Sequence, residues 1–267
     1  MSFAIVIDST LEVSEDLLER VTIVPLNVTI GDLEMKDRTK TPEWMLQEVR
    51  SRNVPLKTSQ PSPAAFKEVY EKLLKEHDWV LSIHISSGLS GTLQSARLAA
   101  ESFGGRVKLF DTMNASIAGH AYVERALKMK DESPEKILRE LAEIRRRSKI
   151  FLTVKELEFL RRGGRLKAIE SVIGSVLKLK PIMTVVDGRL RIAKILVGNN
   201  RVIGYFKKEM ERRRDMKAVI GYIVEERAAK PLVMHALDLG MDHVVLRVRS
   251  MVLAAHLGPG GYGVFFY

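Results

Sequence analysis

Along the first half of the chain, short continuous apolar runs alternate with helically spaced apolar stripes. Ala4 to Ile7 is one such run, closed by Asp8-Ser9-Thr10, and predicts a short buried strand. Ser14 caps a short helix behind it, and Val21 to Ile30 reads as extended chain up to a turn at Gly31-Asp32. Thr41-Pro42, Ser62-Pro63 and Ser133-Pro134 each set a capping hydroxyl before a proline, a helix-start signal. After Ser62, the residues Phe66, Val69, Tyr70, Leu73 and Leu74 recur at helical spacing. Strands are predicted over Trp79 to Ile85, Val107 to Phe110 and Ile150 to Val154. Helices are predicted over Thr92 to Phe103 and after Asp111-Thr112. Strand and helix alternating in this way predict a parallel sheet covered on both faces.

The texture changes after about Val154. "FLRRGGRLKA" breaks a helix at Gly163-Gly164, and "PIMTVVDGRLRIAKIL" reads as two strands around Asp187-Gly188, a hairpin turn. A basic helix follows, then a strand at Ala218 to Val224, a helix, a strand at His243 to Val248 and a Gly-rich end. The expected fold is therefore α/β in two domains. Residues 1–154 form a parallel-sheet domain covered by helices, and residues 155–267 a smaller domain with a mostly antiparallel sheet.

Composition narrows the chemistry. The 267 residues contain no cysteine, which excludes disulfides, thiolate catalysis and cysteine-ligated zinc, and fits a cytoplasmic protein. No apolar run reaches membrane-spanning length, and "MSFAIVIDST" lacks the basic start of a signal peptide. The formal charge of +10 raises nucleic acid as a partner. However, the basic runs Arg145-Arg146-Arg147 and Arg212-Arg213-Arg214 fall near predicted helix ends without interleaved aromatics, so a solvated surface is expected instead.

Four hydroxyl-rich segments stand where strands meet helices: Asp8-Ser9-Thr10, Thr58-Ser59-Gln60, Ser86 to Ser90 and Asp111-Thr112. Any one could be a simple cap, but ligands of open parallel sheets sit beyond the carboxyl ends of strands, and free N–H groups there cradle anions. No metal is expected, because the six histidines form no ligand-spaced cluster. "SGLSGT" is not G-x-S-x-G, and "SVLK" at 175–178 lacks the companion motifs of S-x-x-K enzymes. No P-loop is present. Two segments beside glycines carry candidate cations, His256 in "HLGPGG" and Arg165 in "RRGGR".

In order, "IVIDST" at 5–10, "PLNV" at 25–28, "KTSQPSPAAF" at 57–66, "ISSGLSGTLQSA" at 85–96, "DTMNAS" at 111–116, "LRRGGRL" at 160–166, "KPI" at 180–182 and "HLGPGGYG" at 256–263 span nearly the whole chain. This series resembles the DegV family of fatty-acid-binding proteins. The resemblance implies two α/β domains with a long-chain, palmitate-like acyl chain buried between them. It implies that Thr58 and Ser87 hold the carboxylate, with Ser59, Ser86 and Ser90 as neighbours. It further implies a non-catalytic lipid carrier without a cofactor, and for some relatives a separate ATP-binding subunit that phosphorylates the bound fatty acid. Arg165 and His256 are then expected to meet the head group or that partner. One departure stands out: Val197-Gly198 lies where the family often places an arginine. Two other classes stay open, a serine-dependent hydrolase of acyl esters using a serine beside His256, and a nucleic-acid-binding protein using the basic surface.

Overall fold

The protein was analysed as a computed structural model, which describes residues 2–163 and 179–267. In chain order the first half holds β1 (Phe3–Asp8), α1 (Glu15–Leu18), β2 (Thr22–Val24), β3 (Asn27–Ile30), β4 (Leu33–Lys36), α2 (Pro42–Arg52), β5 (Leu56–Ser59), α3 (Pro63–Leu73), β6 (Trp79–His84), α4 (Thr92–Ala100), β7 (Val107–Asp111), α5 (Ala118–Lys128) and α6 (Pro134–Arg147). There follow β8 (Lys149–Thr153), α7 (Glu158–Arg162), β9 (Leu179–Val186), β10 (Arg189–Val197), α8 (Asn199–Glu211), β11 (Ala218–Tyr222), α9 (Glu226–Asp238), β12 (His243–Arg247), α10 (Met251–Leu257) and β13 (Tyr262–Phe266). The predicted helix starts are all present. Thr41, Ser62 and Ser133 each accept a hydrogen bond from the third residue of the helix that follows, and a proline stands at its first position.

The strands form three sheets among the described residues. A parallel sheet runs β2-β1-β6-β7. β6 is buried along its whole length, as a central strand covered on both faces must be. A six-stranded sheet runs β10-β9-β8-β13-β11-β12 and is antiparallel except for β11 with β12. The two textures read from the sequence correspond to these sheets, with two corrections. β8, expected from the sequence in the first domain, pairs with β13 and β9, so sheet membership changes between Arg147 and Lys149. β4 and β5 flank β3 in a third, small antiparallel sheet that the sequence pattern did not announce.

The helices fill the layers between and outside the sheets. α3 and α4 cover one face of the parallel sheet through Phe66, Tyr70, Ala96 and Ala99. α5 and α6 cover the other face, and their core is shared with Val219, Leu246 and Phe265 of the six-stranded sheet. That shared middle layer joins the two halves of the chain. Each large apolar side chain buried there contributes about 1.5–3 kcal/mol. α8 and α9 close the far face through Val202, Phe206 and Leu232. α10 arrives late in the sequence but packs on the small sheet and α2 of the first half.

Candidate functional site

β1, β6 and β7 are parallel, so their carboxyl ends open on one side of the sheet, where a crevice is expected. A cavity of about 430 Å³ lies there, roofed by the second sheet. Its walls are largely apolar. Leu26, Ile85 and Leu89 come from the first half, and Ile150, Leu152, Val185 and Leu190 from β8 and the β9–β10 hairpin. Val252, Leu253 and Leu257 come from α10.

Polar groups enter this lining in a cluster. Thr58, Ser59 and Gln60 are consecutive at the end of β5, Ser90 and Gly91 precede α4, and His256 sits on the last turn of α10. Thr58 Oγ1 lies 3.0 Å from His256 Nε2. Gln60 packs against Gly91, where any β-carbon would collide with its amide, and donates to Ser95 Oγ at 3.0 Å. Gly91 is the N-cap of α4, and the first N–H of that helix, on Thr92, donates to Ser90 Oγ at 3.3 Å. The ring of His256 lies against Gly163, the first glycine of "RRGGR", and a side chain there would displace it.

The serines of the β6–α4 turn divide. Ser90 lines the cavity, whereas Ser86 and Ser87 do not. Ser87 is exposed, and its Oγ donates to Asp111 Oδ2 at 2.6 Å. Ser86 is buried, and its Oγ donates to the Gly188 carbonyl at 2.6 Å. In this arrangement Ser86 and Ser87 are held by these other acceptors and do not join Thr58 in the cavity lining. A charged acceptor at the end of β7 captures one hydroxyl, and a backbone carbonyl of the opposite sheet captures the other. Arg165 lies outside the described residues, as does "SVLK". Thr10 and Ser116 also line the cavity. Thr10 belongs to a segment the sequence singled out. Ser116 closes the "DTMNAS" stretch and adopts a φ of 58° in the turn after β7.

A buried polar chain runs behind the cavity. Tyr70 Oη and Ser82 Oγ are 2.8 Å apart, Ser82 Oγ and His84 Nε2 2.7 Å, and His84 Nδ1 and Asp8 Oδ2 3.2 Å. Asp8 also accepts from the Ile85 and Thr10 N–H groups and from the Thr10 hydroxyl. Burial alone would push the Asp8 carboxyl up. His84, Thr10 and the Ile85 N–H outweigh it and hold the carboxyl below the usual range. Ser82, His84 and Asp8 are connected as a hydrolytic triad would be, but all three have no exposed surface and none lines the cavity. The hydroxyl that does meet His256 belongs to a threonine. A serine-dependent hydrolase finds no support in this arrangement.

The helix that brings His256 is fixed from its other end. Asp37 accepts hydrogen bonds from Ser250 Oγ at 2.6 Å and Met251 N at 2.7 Å, and also from Ser9 Oγ at 2.7 Å. Glu12 accepts from Arg249 N and Ser250 N, and pairs with Arg38 at 3.0 Å. Burial raises both carboxyls above their ordinary range despite these partners.

Most of the arginines in the basic runs make local contacts. Arg145 lies over Phe110 and donates to the Asp111 carbonyl, Arg146 pairs with Glu143, and Arg212 and Arg213 pair with Glu209. Among the described residues no group of three or more metal-ligating side chains comes together, and no helix is long and apolar enough to cross a membrane.

Comparison with known proteins agrees with this geometry. The profile of the DegV family, described as uncharacterised proteins, matches residues 2–267. A DegV domain-containing protein of Deinococcus radiodurans is 33% identical, covering 99% of this chain and 98% of that protein. The structure is similar to that of a DegV family protein from Thermus thermophilus described for its fatty acid binding, with a TM-score of 0.92, 36% identity and coverage of 100% and 99% of the two chains. It is also similar to DegV, a fatty acid binding protein from Bacillus subtilis, with a TM-score of 0.88, 27% identity and coverage of 100% and 99%.

Proposed function

This chain belongs to the DegV family, and we propose that it binds one long-chain, palmitate-like fatty acid, carboxylate at the hydroxyl cluster and acyl chain in the cavity. The observation that carries this reading is an apolar cavity of about 430 Å³ whose polar lining includes Thr58, Ser59, Gln60, Ser90 and His256. A carboxylate leaving water needs several donors. Neutral hydroxyls supply them without a permanent buried cation. With the Nε2 proton on His256, the ring donates to Thr58 Oγ1 and leaves the Thr58 proton free for the carboxylate. The tail supplies affinity: about sixteen carbons at roughly 0.8 kcal/mol each give on the order of ten kcal/mol before ordering costs.

A finer reading is that this cytoplasmic carrier presents its carboxylate to an ATP-binding subunit. The carboxylate oxygen would attack the γ-phosphorus, forming the acyl phosphate and releasing ADP. His256, partly exposed at the Gly-rich end of α10, would meet the charge that builds there.

Native mass spectrometry of the purified protein, followed by solvent extraction, tests the proposal. One long-chain fatty acid mass per chain is the expected result. A protein that neither carries such a mass nor takes up cis-parinaric acid would overturn it.

A further inference from the structure

The β9–β10 hairpin reaches from its own sheet to the opposite half of the molecule, where the Ser86 hydroxyl is hydrogen-bonded to its turn. β8 pairs with β9 only through Leu152 with Met183 and Thr153 with Ile182. From Thr184 to Val186, β9 has β10 alone as its strand partner among the described residues. The tip is therefore a two-stranded ribbon, an element of marginal stability on its own. Val185 and Leu190 stand opposite each other in that ribbon, and both line the cavity. Asp187 and Gly188 turn the chain with φ of 50° and 71°, the geometry of a tight hairpin turn.

The tip docks on the β6–α4 turn. Ser86 Oγ donates to the Gly188 carbonyl at 2.6 Å and accepts from Gly88 N at 3.1 Å. The fit is close on both sides. A β-carbon on Gly188 would lie 2.5 Å from Ser86 Oγ, and one on Gly88 would lie 2.6 Å from the Gly188 carbonyl oxygen. Ser86 is fully buried, stands in the hydroxyl-rich turn and contributes nothing to the cavity lining, so its hydroxyl serves this contact.

We infer that Ser86 is a positioning residue that latches the β9–β10 tip as a strap over the cavity, and that release of this latch is the step through which ligand enters and leaves. Unlatching leaves the buried Ser86 hydroxyl without its acceptor, which favours the closed form. One hydrogen bond is nevertheless weak enough to break often. Because Val185 and Leu190 are a cross-strand pair, they leave the cavity wall together when the tip lifts. The identity of the ligand rests on the fatty-acid reading above, whereas the latch rests on the contacts alone.

Two measurements separate them. Hydrogen–deuterium exchange of the amides of residues 184–191 reads the latch without ligand. Stopped-flow release of cis-parinaric acid to excess albumin reads ligand exchange. Ser86→Ala is expected to speed exchange of the tip amides and to accelerate release about tenfold, with association rising as well, so that affinity changes less than either rate. Gly88→Ala pushes the same contact apart while keeping Ser86, and should act in the same direction even where Ser86→Ala impairs folding. Ser87→Ala, one residue away but bonded to Asp111, should change neither readout. Tip amides as protected in Gly88→Ala and Ser86→Ala as in wild type would overturn the latch. Faster tip exchange with unchanged release would overturn its role in ligand passage. Failure of wild type to take up cis-parinaric acid would overturn that role together with the fatty-acid reading, while the amide measurement still decides the latch.

Discussion

At the scale of single residues, neighbouring hydroxyls have different fates because the turn after β6 aims them apart. Thr58 and Ser90 line the cavity, Ser86 faces the Gly188 carbonyl and Ser87 the Asp111 carboxylate. Thr58→Val keeps the shape of the side chain but removes the group that would donate to a carboxylate. A hydrogen bond to a charged acceptor is worth about 1.5–3 kcal/mol, so fatty-acid affinity should fall at least about tenfold with the fold unchanged. Ser87→Ala should leave affinity within about twofold. Titration with a fluorescent fatty acid, with circular dichroism as the fold control, checks both. Equal losses at the two positions would return Ser87 to the site. The sequence brought these hydroxyls to attention as a set but could not separate them. Side chains one residue apart in an irregular turn share no period, and the acceptors that sort them, Gly188 and Asp111, come from elsewhere in the chain.

At the scale of elements, local signals were legible and long-range ones were not. The Ser/Thr-Pro helix starts and the Asp187-Gly188 hairpin are decided within a few residues, and they stand where the pattern put them. The placement of β8 in the six-stranded sheet depends on β13, which lies far along the chain in a Gly-rich stretch that masks both that strand and α10. α10 matters for the site because it carries Val252, Leu253, His256 and Leu257. Its start is held by Asp37, which no local pattern links to residue 250. Asp37→Ala leaves buried N–H and O–H donors unpaired, a cost of about 2–3 kcal/mol, and should also weaken fatty-acid binding by loosening the helix behind His256. Asp37→Asn keeps an acceptor in place. Burial already makes the ionised form of Asp37 less favourable, so the amide should recover most of both losses. Urea denaturation and ligand titration of the two variants read this out. An asparagine variant as impaired as the alanine one would mean that charge, rather than the hydrogen-bonding position, holds α10.

At the scale of the whole molecule, the cavity exists because two sheets from different halves of the chain are held face to face. The shared middle layer supplies the apolar part of that junction, and Glu124 on α5 supplies a polar clasp at its edge. Its carboxylate accepts from Lys217 Nζ at 2.7 Å and from Tyr267 Oη at 2.9 Å, groups just before β11 and just after β13, and lies 3.2 Å from Lys128 Nζ. Partial burial acts to raise this carboxyl, but the hydrogen bonds from Lys217, Tyr267 and Lys128 outweigh it and bring it down to about 2. Because its folded value lies below its unfolded one, the clasp contributes fully above an ordinary glutamate pKa of about 4.5 and is lost as pH falls toward about 2. After allowance for solvent screening, Glu124→Gln should destabilise the protein by about 1–2 kcal/mol near neutral pH. The difference from wild type should shrink steadily on acidification below about pH 4.5, because the wild-type carboxyl then takes up the proton that the amide imitates. Urea denaturation of both proteins across that range measures the gap directly. A constant gap at all pH values would mean that Glu124 acts through shape and not through charge, and that the two halves are clasped by their shared apolar layer alone.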